Sequence, residues 1–315
     1  MHGSRLQFIR GTAATLVVGG SLHLTAEADT EALLRVATTP TEAGAAVYYA
    51  QDLGFFKKAG LRVEISSGNS GAADAAAVVS GSLDIAQSSV PSIASAHERN
   101  IPFVLIAPGA VYTAIAPTSA LVVAKNSPVR VAKDLEGKTI ANNALKNIGE
   151  IAADAWLDAG GANIASVKVV ELPLPAMEAA LEQRRIDAAI LVEPSLGKAL
   201  AGDVRVLAYA YSSVAHTFLL SAYFATSSWA KANTDALGRF QTALREASHW
   251  ANQPANHERS GEIIEKYMQV TPGSMSTRAT YGESLDLALI QPVIDAAARY
   301  HALKAPFPAA EIVYH

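Results

Sequence analysis

The sequence contains no cysteine in 315 residues. This absence excludes disulfide bonds, thiolate metal sites and a cysteine nucleophile, and it removes the residue that carries the lipid of a bacterial lipoprotein. The histidines are scattered, so no group of ligands has metal spacing. Neither a Gly-x-Ser-x-Gly turn nor a phosphate-binding loop occurs. We therefore predict no metal, no cofactor and no enzyme of these classes.

Charge is also scarce in this chain. Only 17% of the residues are charged, the formal net charge is −4 and no basic run occurs. The sequence therefore lacks the electrostatic footprint of a nucleic-acid-binding protein. Half of the residues are hydrophobic, which suits packed α/β layers with buried parallel strands. Beyond the N-terminal region, no apolar run reaches the roughly 18 residues of a membrane span, so we expect no membrane anchor.

The N-terminal region has the pattern of an export signal. Arg5 and Arg10 form a basic start, residues 11–24 are apolar and free of acidic residues, and residues 26–28 read Ala-Glu-Ala. Signal peptidase accepts this small-x-small pattern. We predict that residues 1–28 are a signal peptide and that the mature protein is periplasmic. The general secretion route is favoured over the twin-arginine route, and an amphipathic helix of a cytosolic protein is the alternative.

The rest of the chain repeats one order of elements. Strand-like apolar runs alternate with helical periods, which predicts βαβ units and mostly parallel sheets. In the first half, a helix stops at Ala-Gly, residues 59–60, and a later strand reads Leu-Asp-Ile-Ala, residues 83–86. In the second half, a helix stops at Ala-Gly, residues 159–160, and a strand reads Ile-Asp-Ala-Ala, residues 186–189. Two similar halves predict an α/β protein with two lobes around a cleft.

The chain must cross twice between the two lobes. We predict that residues 121–124 and 218–226 are the crossing strands, because they are apolar runs at the borders of the repeat. Lobe 1 then contains residues 31–119 and 225–315, and lobe 2 contains residues 120–224.

Several motifs resemble one group of periplasmic binding proteins. Residues 52–64 read DLGFFKKAGLRVE, residues 134–141 read DLEGKTIA, and residues 179–194 run from Ala-Ala-Leu through Ile-Asp-Ala-Ala to Glu-Pro. Residues 290–295 are similar to the closing helix of this group. The group serves ABC importers for nitrate, alkanesulfonates, taurine and thiamine-pyrimidine precursors. The resemblance implies a monomeric two-lobed clamp of type II, joined by two crossing strands, with an ABC permease and its ATPase as partners.

Polar loops follow several of the predicted strands. In open α/β sheets, ligands bind beyond the carboxyl ends of the strands, where helix N-termini attract anions. The loop residues that we predict to contact a ligand are Thr39, Thr41, Asn69, Ser70, Gly71, Ser88, Ser89, Asn142 and Asn143. The alternative role of the serine, threonine and asparagine residues is helix capping.

Four larger side chains complete the predicted site. Lys146 and Glu193 are the charged candidates, and a carboxylate at Glu193 would suit an amine or a ring N–H. Tyr112 and Tyr211 follow the last strand of each half and could stack on a flat ligand. Lys146 could instead be a solvated loop residue, and the tyrosines could pack at the hinge.

The sequence thus predicts the solute-binding component of an ABC importer rather than an enzyme. Its ligand is a small organic anion, a sulfonate or carboxylate, or an aromatic or pyrimidine compound. An enzyme or a sensor that is built on the same clamp and acts on a small heterocycle is the alternative function.

Overall fold

The computed structural model describes residues 31–68 and 71–315. The predicted signal peptide and the two loop residues Asn69 and Ser70 lie outside this part of the chain. The strands are β1 Ala32–Thr38, β2 Leu61–Ser67, β3 Ile85–Ser89, β4 Phe103–Pro108, β5 Ala110–Thr113, β6 Ser119–Ala124, β7 Thr139–Asn142, β8 Lys168–Glu171, β9 Ala188–Val192, β10 Val204–Ala208, β11 Thr217–Leu219, β12 Ser221–Thr226 and β13 Thr280–Tyr281.

Helices connect most of these strands. The helices are α1 Ala46–Asp52, α2 Phe55–Lys58, α3 Gly71–Ser80, α4 Val90–Glu98, α5 Ile148–Ala159, α6 Leu174–Glu182, α7 Ser195–Ala201, α8 Ser227–Ala232, α9 Thr234–Ala251, α10 His257–Met268 and α11 Leu287–Arg299. None of the described helices is long and apolar enough to cross a membrane.

The two large sheets have the same design, as the sequence repeat predicts. The first has the order β2-β1-β3-β12-β4 and the second has the order β8-β7-β9-β6-β10. In each sheet the strands are parallel except the fourth in this order, β12 or β6, which runs antiparallel to both of its neighbours. The predicted α/β class and the mostly parallel sheets flanked by helices are confirmed.

A small third sheet connects the two large ones. It has the order β11-β5-β13 and is antiparallel. Strand β5 leads the chain from β4 to β6, and β11 leads it back from β10 to β12. The predicted crossing at residues 121–124 is therefore wrong, because β6 pairs with β9 and β10 inside the second sheet. The predicted crossing at residues 218–226 is right only for its first part, since β12 belongs to the first sheet.

Apolar packing attaches the C-terminal helices α9 and α11 to the rest of the fold. Helix α9 contacts α1, β2 and β4, and α11 contacts α4, α5 and β11. The Phe56 ring of α2 stacks on Phe240 of α9 with 5.6 Å between centroids, and Tyr223 of β12 meets Phe240 edge-on. Buried aromatic rings contribute strongly to core stability because of their large apolar area.

Candidate functional site

A cleft of about 740 Å³, open to solvent, lies where the loops of the two large sheets meet. Its lining comes from the loop after β1, the end of β3, the start of α4, the loop before α5, the end of β9 and the start of β12. Most of the polar side chains that line it are hydroxyls and amides. These are Thr39, Thr41, Gln87, Ser88, Ser89, Ser92, Thr118, Asn143, Asn147 and Ser221.

The structure brings seven of the predicted site residues to this cleft. They are Thr39, Thr41, Ser88, Ser89, Asn143, Glu193 and Tyr211. Tyr112, Asn142 and Lys146 do not line it, and Gly71 is the first residue of α3. The sequence reasoning missed six polar residues of the lining: Glu42, Gln87, Ser92, Thr118, Asn147 and Ser221.

A chain of hydrogen bonds orders the loop after β1. The Thr39 hydroxyl donates to Gln87 Oε1 at 2.7 Å, and the Thr39 backbone N–H approaches the same oxygen at 3.2 Å. The hydroxyl of Thr41 lies 3.3 Å from that of Thr39. Because the Gln87 oxygen is occupied, its amide NH₂, which has no partner among residues 31–68 and 71–315, is the group available to a ligand.

Helix α4 brings an uncapped N-terminus to the cleft. Its N-cap residue, Ser89, makes no capping hydrogen bond with its side chain. The Ser89 hydroxyl instead lies 2.9 Å from the Ser92 hydroxyl. The N–H of Val90, the first helical residue, donates to the Leu220 carbonyl oxygen at 3.4 Å, and the second residue, Pro91, has no N–H. The N–H of Ser92 in the same turn, together with the partial positive charge of a helix N-terminus, therefore favours an anionic or carbonyl oxygen.

Helix α5 is capped by its own side chains. Asn147 Oδ1 accepts hydrogen bonds from the N–H groups of Gly149 at 2.8 Å and Glu150 at 3.4 Å. The fully buried Asn142 donates to the same oxygen at 2.7 Å. The Asn147 amide then donates to Asn143 Oδ1 at 3.0 Å. Asn142 therefore holds the Asn147 side chain in its capping position. Only Asn143 and Asn147 of this network line the cleft.

Lys146 is directed to the helix rather than to the cleft. Its Nζ pairs with Glu150 Oε1 at 3.2 Å, and its backbone N–H donates to Glu150 Oε2 at 2.6 Å. The residue has a φ of 58° and an exposed side chain. This geometry agrees with the alternative of a solvated loop residue.

The two predicted tyrosines have different positions. Tyr211 lines the cleft, and Tyr112 packs behind it with 5.5 Å between ring centroids. Tyr112 also stacks on Phe218, and its hydroxyl lies 2.7 Å from the Ser212 hydroxyl. Burial raises the pKa of both tyrosines, so both stay neutral. Only Tyr211 can contact a ligand, and Tyr112 holds it in place.

Glu193 lines the cleft, but its carboxylate is occupied by the protein. Oε1 accepts from the backbone N–H of Ser276 at 3.1 Å and from the Ser276 hydroxyl, and Oε2 accepts from the N–H of Gly197 at 3.0 Å. The residue is fully buried. A ligand amine at this carboxylate would have to displace these donors.

A second buried carboxylate, Glu42, lies in the same lining. Oε1 accepts from the N–H of Ala279 at 2.9 Å, and Oε2 is 3.1 Å from the Arg278 guanidinium. Burial raises the pKa of Glu42 to about 7, and Arg278 opposes that rise. Arg278 is 236 residues away along the chain, so no local sequence pattern indicates this pair.

The described lining of the cleft contains no lysine, arginine or histidine. Both oxygens of each of its two carboxylates accept hydrogen bonds from the protein. The groups that this part of the cleft presents to a ligand are therefore neutral hydroxyls, amides and a helix N-terminus, together with the apolar faces of Ile148, Val192 and Leu220.

Comparison with known families shows to which family the chain belongs. Residues 43–256, more than half of the sequence, match the family described as NMT1/THI5 like. The chain belongs to this family. No curated protein matches the sequence.

Solved structures of other members of this fold class are similar to the NMT1/THI5-like chain. The alkanesulfonate-binding protein SsuA from Xanthomonas axonopodis pv. citri, bound to MOPS, is 17% identical, with a TM-score of 0.72 over 90% of this chain and 98% of that one. The periplasmic nitrate-binding protein NrtA from Synechocystis PCC 6803 is 16% identical, with a TM-score of 0.75 over 89% and 84%. The desulfurization enzyme DszB is 15% identical, with a TM-score of 0.66 over 90% and 96%. At these identities the likeness establishes the fold.

Proposed function

We propose that this NMT1/THI5-like protein is the solute-binding component of an ABC importer. The observation that carries the proposal is a cleft whose lining comes from both large sheets. Two short crossing strands, β5 and β11, connect these sheets. Lobe 1 then contains β1 to β4 and β12, lobe 2 contains β6 to β10, and the boundaries lie in β5 and β11 rather than at residues 119/120 and 224/225. Such an arrangement binds a solute between lobes that close around it. SsuA and NrtA, which share the fold, are binding proteins by their descriptions.

The cleft favours a small solute held by hydrogen bonds. The uncapped N-terminus of α4 and the Gln87 amide suit an oxygen of a sulfonate, carboxylate or ring carbonyl. Tyr211 and the neighbouring aliphatic side chains suit a flat or aliphatic body. We therefore propose a small organic anion or an aromatic or pyrimidine compound as the ligand. An amine directed at Glu193 is disfavoured because that carboxylate is occupied.

Mass spectrometry of small molecules released from the denatured, purified protein tests this proposal. Thermal unfolding then follows with four probes: taurine, an alkanesulfonate, nitrate and a pyrimidine. A probe that binds only the folded state must raise the melting temperature. Ser92→Ala at the head of α4 should weaken the response, whereas Ser80→Ala at the exposed end of α3 is the matched control. The absence of any retained molecule, together with no thermal shift from any probe, would contradict a binding role.

Export to the periplasm is part of the same proposal. Protein recovered from the periplasm should begin near Asp29, after cleavage at residues 26–28. Sequencing of its N-terminus provides the measurement, and an intact Met1 would contradict export through this signal. A partner permease should then be detectable by crosslinking in membranes that contain the importer, with the solute-binding component as a monomer.

An enzyme on the same fold is the second candidate. The likeness to DszB supports it, and so does Glu42, a buried carboxyl at the cleft with a pKa of about 7. A general acid or base works best with a pKa near the operating pH. Incubation of the protein with its retained compound separates the two candidates, because an enzyme would convert the compound whereas a binding protein would return it unchanged.

A further inference from the structure

One segment of the chain contacts both buried carboxylates of the cleft. Residues 274–279 lie between α10 and β13, far in sequence from Glu42 and Glu193. Ser276 donates to Glu193, while Arg278 and Ala279 donate to Glu42. We call residues 274–279 the arm.

The arm is firmly attached to the first half of the molecule. Beyond its contacts with Glu42, Arg278 donates to the hydroxyl of Tyr49 on α1 and to that of Ser260 on α10, each at 2.8 Å. Directly after the arm, β13 pairs with the crossing strand β5. Its Tyr281 donates to the backbone oxygen of Glu42 at 2.8 Å. The arm is therefore fixed to α1, α10, β5 and the loop that carries Glu42.

The contacts of the arm with the second half are fewer and closer to the surface. Ser276, an exposed residue, donates its N–H and its hydroxyl to Glu193 at the end of β9. Gly197 in the first turn of α7 approaches the arm so closely that a Cβ there would lie 1.8 Å from the Ser274 carbonyl oxygen. One further bond joins the halves at this point, from the backbone N–H of Glu42 to the backbone carbonyl oxygen of Glu193 at 3.0 Å.

A groove separates the two halves on the outer side of these contacts. This groove of about 690 Å³ opens beside Pro194, between α6 and α7 on one side and residues 269–274 on the other. Glu193 lines the cleft and the next residue, Pro194, lines the groove. The hydrogen bonds from Ser276 to Glu193 therefore lie between the groove and the cleft.

We infer that the arm is a latch that holds the two lobes closed, with Arg278 as its anchor and Ser276 as its releasable contact. The inference rests on the proposed function in assuming that the lobes move to admit a solute. Opening must break the bonds of Ser276 to Glu193, whereas the bonds of Arg278 lie within the first half and persist. Both latch carboxylates line the cleft, so the latch lies directly beside the place where a solute would bind.

The distance between the lobes in the ligand-free full chain tests the latch. Since the sequence lacks cysteine, spin labels can be placed at Ser80→Cys in the first half and Lys133→Cys in the second, both exposed positions. Electron paramagnetic resonance then measures the distribution of label distances. Loss of the Ser276 hydroxyl, a charge-assisted donor, should lower the ratio of closed to open molecules about tenfold in Ser276→Ala. Ser276→Thr, which keeps the hydroxyl, should restore the wild-type distribution.

Thr277→Ala is the matched control, because it removes a neighbouring hydroxyl that has no hydrogen-bond partner in the described residues. Its distances should equal those of the wild type. The latch is refuted if Ser276→Ala, folded by circular dichroism, keeps the wild-type distribution, or if Thr277→Ala opens the lobes equally. Glu193→Gln approaches the same bond from the other side and should also open the lobes. No ligand is needed, so a negative result is distinct from a failure to find a solute.

Discussion

Asp154 offers the sharpest test of the energetics of this structure. Its carboxyl lies on α5, is only 7% exposed and has no hydrogen-bond partner in the described part of the chain. Glu150, one turn earlier, is equally buried. Burial raises the pKa of Asp154 to about 6, Glu150 adds to the rise, and Lys146 opposes it. The folded protein therefore binds a proton here more tightly than the unfolded chain does.

The substitution Asp154→Asn should stabilise the protein at neutral pH. As the pH rises from 3.8 to about 6, the unfolded chain loses this proton first, so the wild type loses stability across that window. The two pKa values correspond to a loss of about 3 kcal/mol at pH 7. Asparagine removes the titration and keeps the shape, so the variant should gain up to about 3 kcal/mol at pH 7 but only about 1 kcal/mol at pH 4.5.

Urea unfolding at several pH values between 4.5 and 8 measures this difference. Asp203→Asn is the control, because it removes one negative charge from an exposed position. It should leave the free energy of unfolding within about 0.5 kcal/mol of the wild type. A less stable Asp154→Asn at pH 7, or a difference that does not change with pH, would refute the reasoning.

Three further substitutions test packing and capping by the same unfolding measurement. Gly197→Ala should destabilise by about 1–3 kcal/mol, because its Cβ would meet the Ser274 carbonyl oxygen. Gly238→Ala on α9, where no atom lies within 4 Å of the added Cβ, should instead stabilise by about 0.5–1 kcal/mol; equal effects at the two glycines would contradict the packing. Asn147→Ala should cost about 1–2 kcal/mol, since α5 loses its cap and Asn142 loses an acceptor. An unchanged stability would show that the cap contributes nothing.

The repeat of the two sheets could be predicted because it depends on local signals. Strand-length apolar runs and helix stops at Ala-Gly recur in the same order, and each strand pairs as this order requires. The crossing strands could not be predicted in the same way. Strand β6 is buried on both faces, so its sequence is equally compatible with a crossing or with an interior strand of a sheet. Its pairing with β9 places it inside the second sheet.

The direction of two strands explains why two of the six missed cleft residues could not be predicted. Thr39 and Ser88 come at the carboxyl ends of parallel strands, where the general rule places ligands. Thr118 and Ser221 come at the amino ends of β6 and β12. These strands run antiparallel to their neighbours, so their amino ends meet the carboxyl ends of the others at one edge. A sequence does not state strand direction, and these two residues were missed for that reason.

In the proposed binding protein, the two buried carboxylates of the cleft would connect recognition with closure. Removing one partner of a buried ion pair costs about 3–5 kcal/mol, so a solute does not gain by taking Arg278 away from Glu42. A solute can gain, however, by contacting both halves at once, that is, Thr41 or Ser221 of the first half together with Asn143 of the second. Each such contact favours the closed state, in which Ser276 also keeps its bonds to Glu193. A ligand shifts a conformational equilibrium only by its difference in affinity for the two states. The neutral donors of the cleft would therefore select the solute. The arm would determine how large the difference in solute affinity between the closed and open states must be to keep the lobes closed.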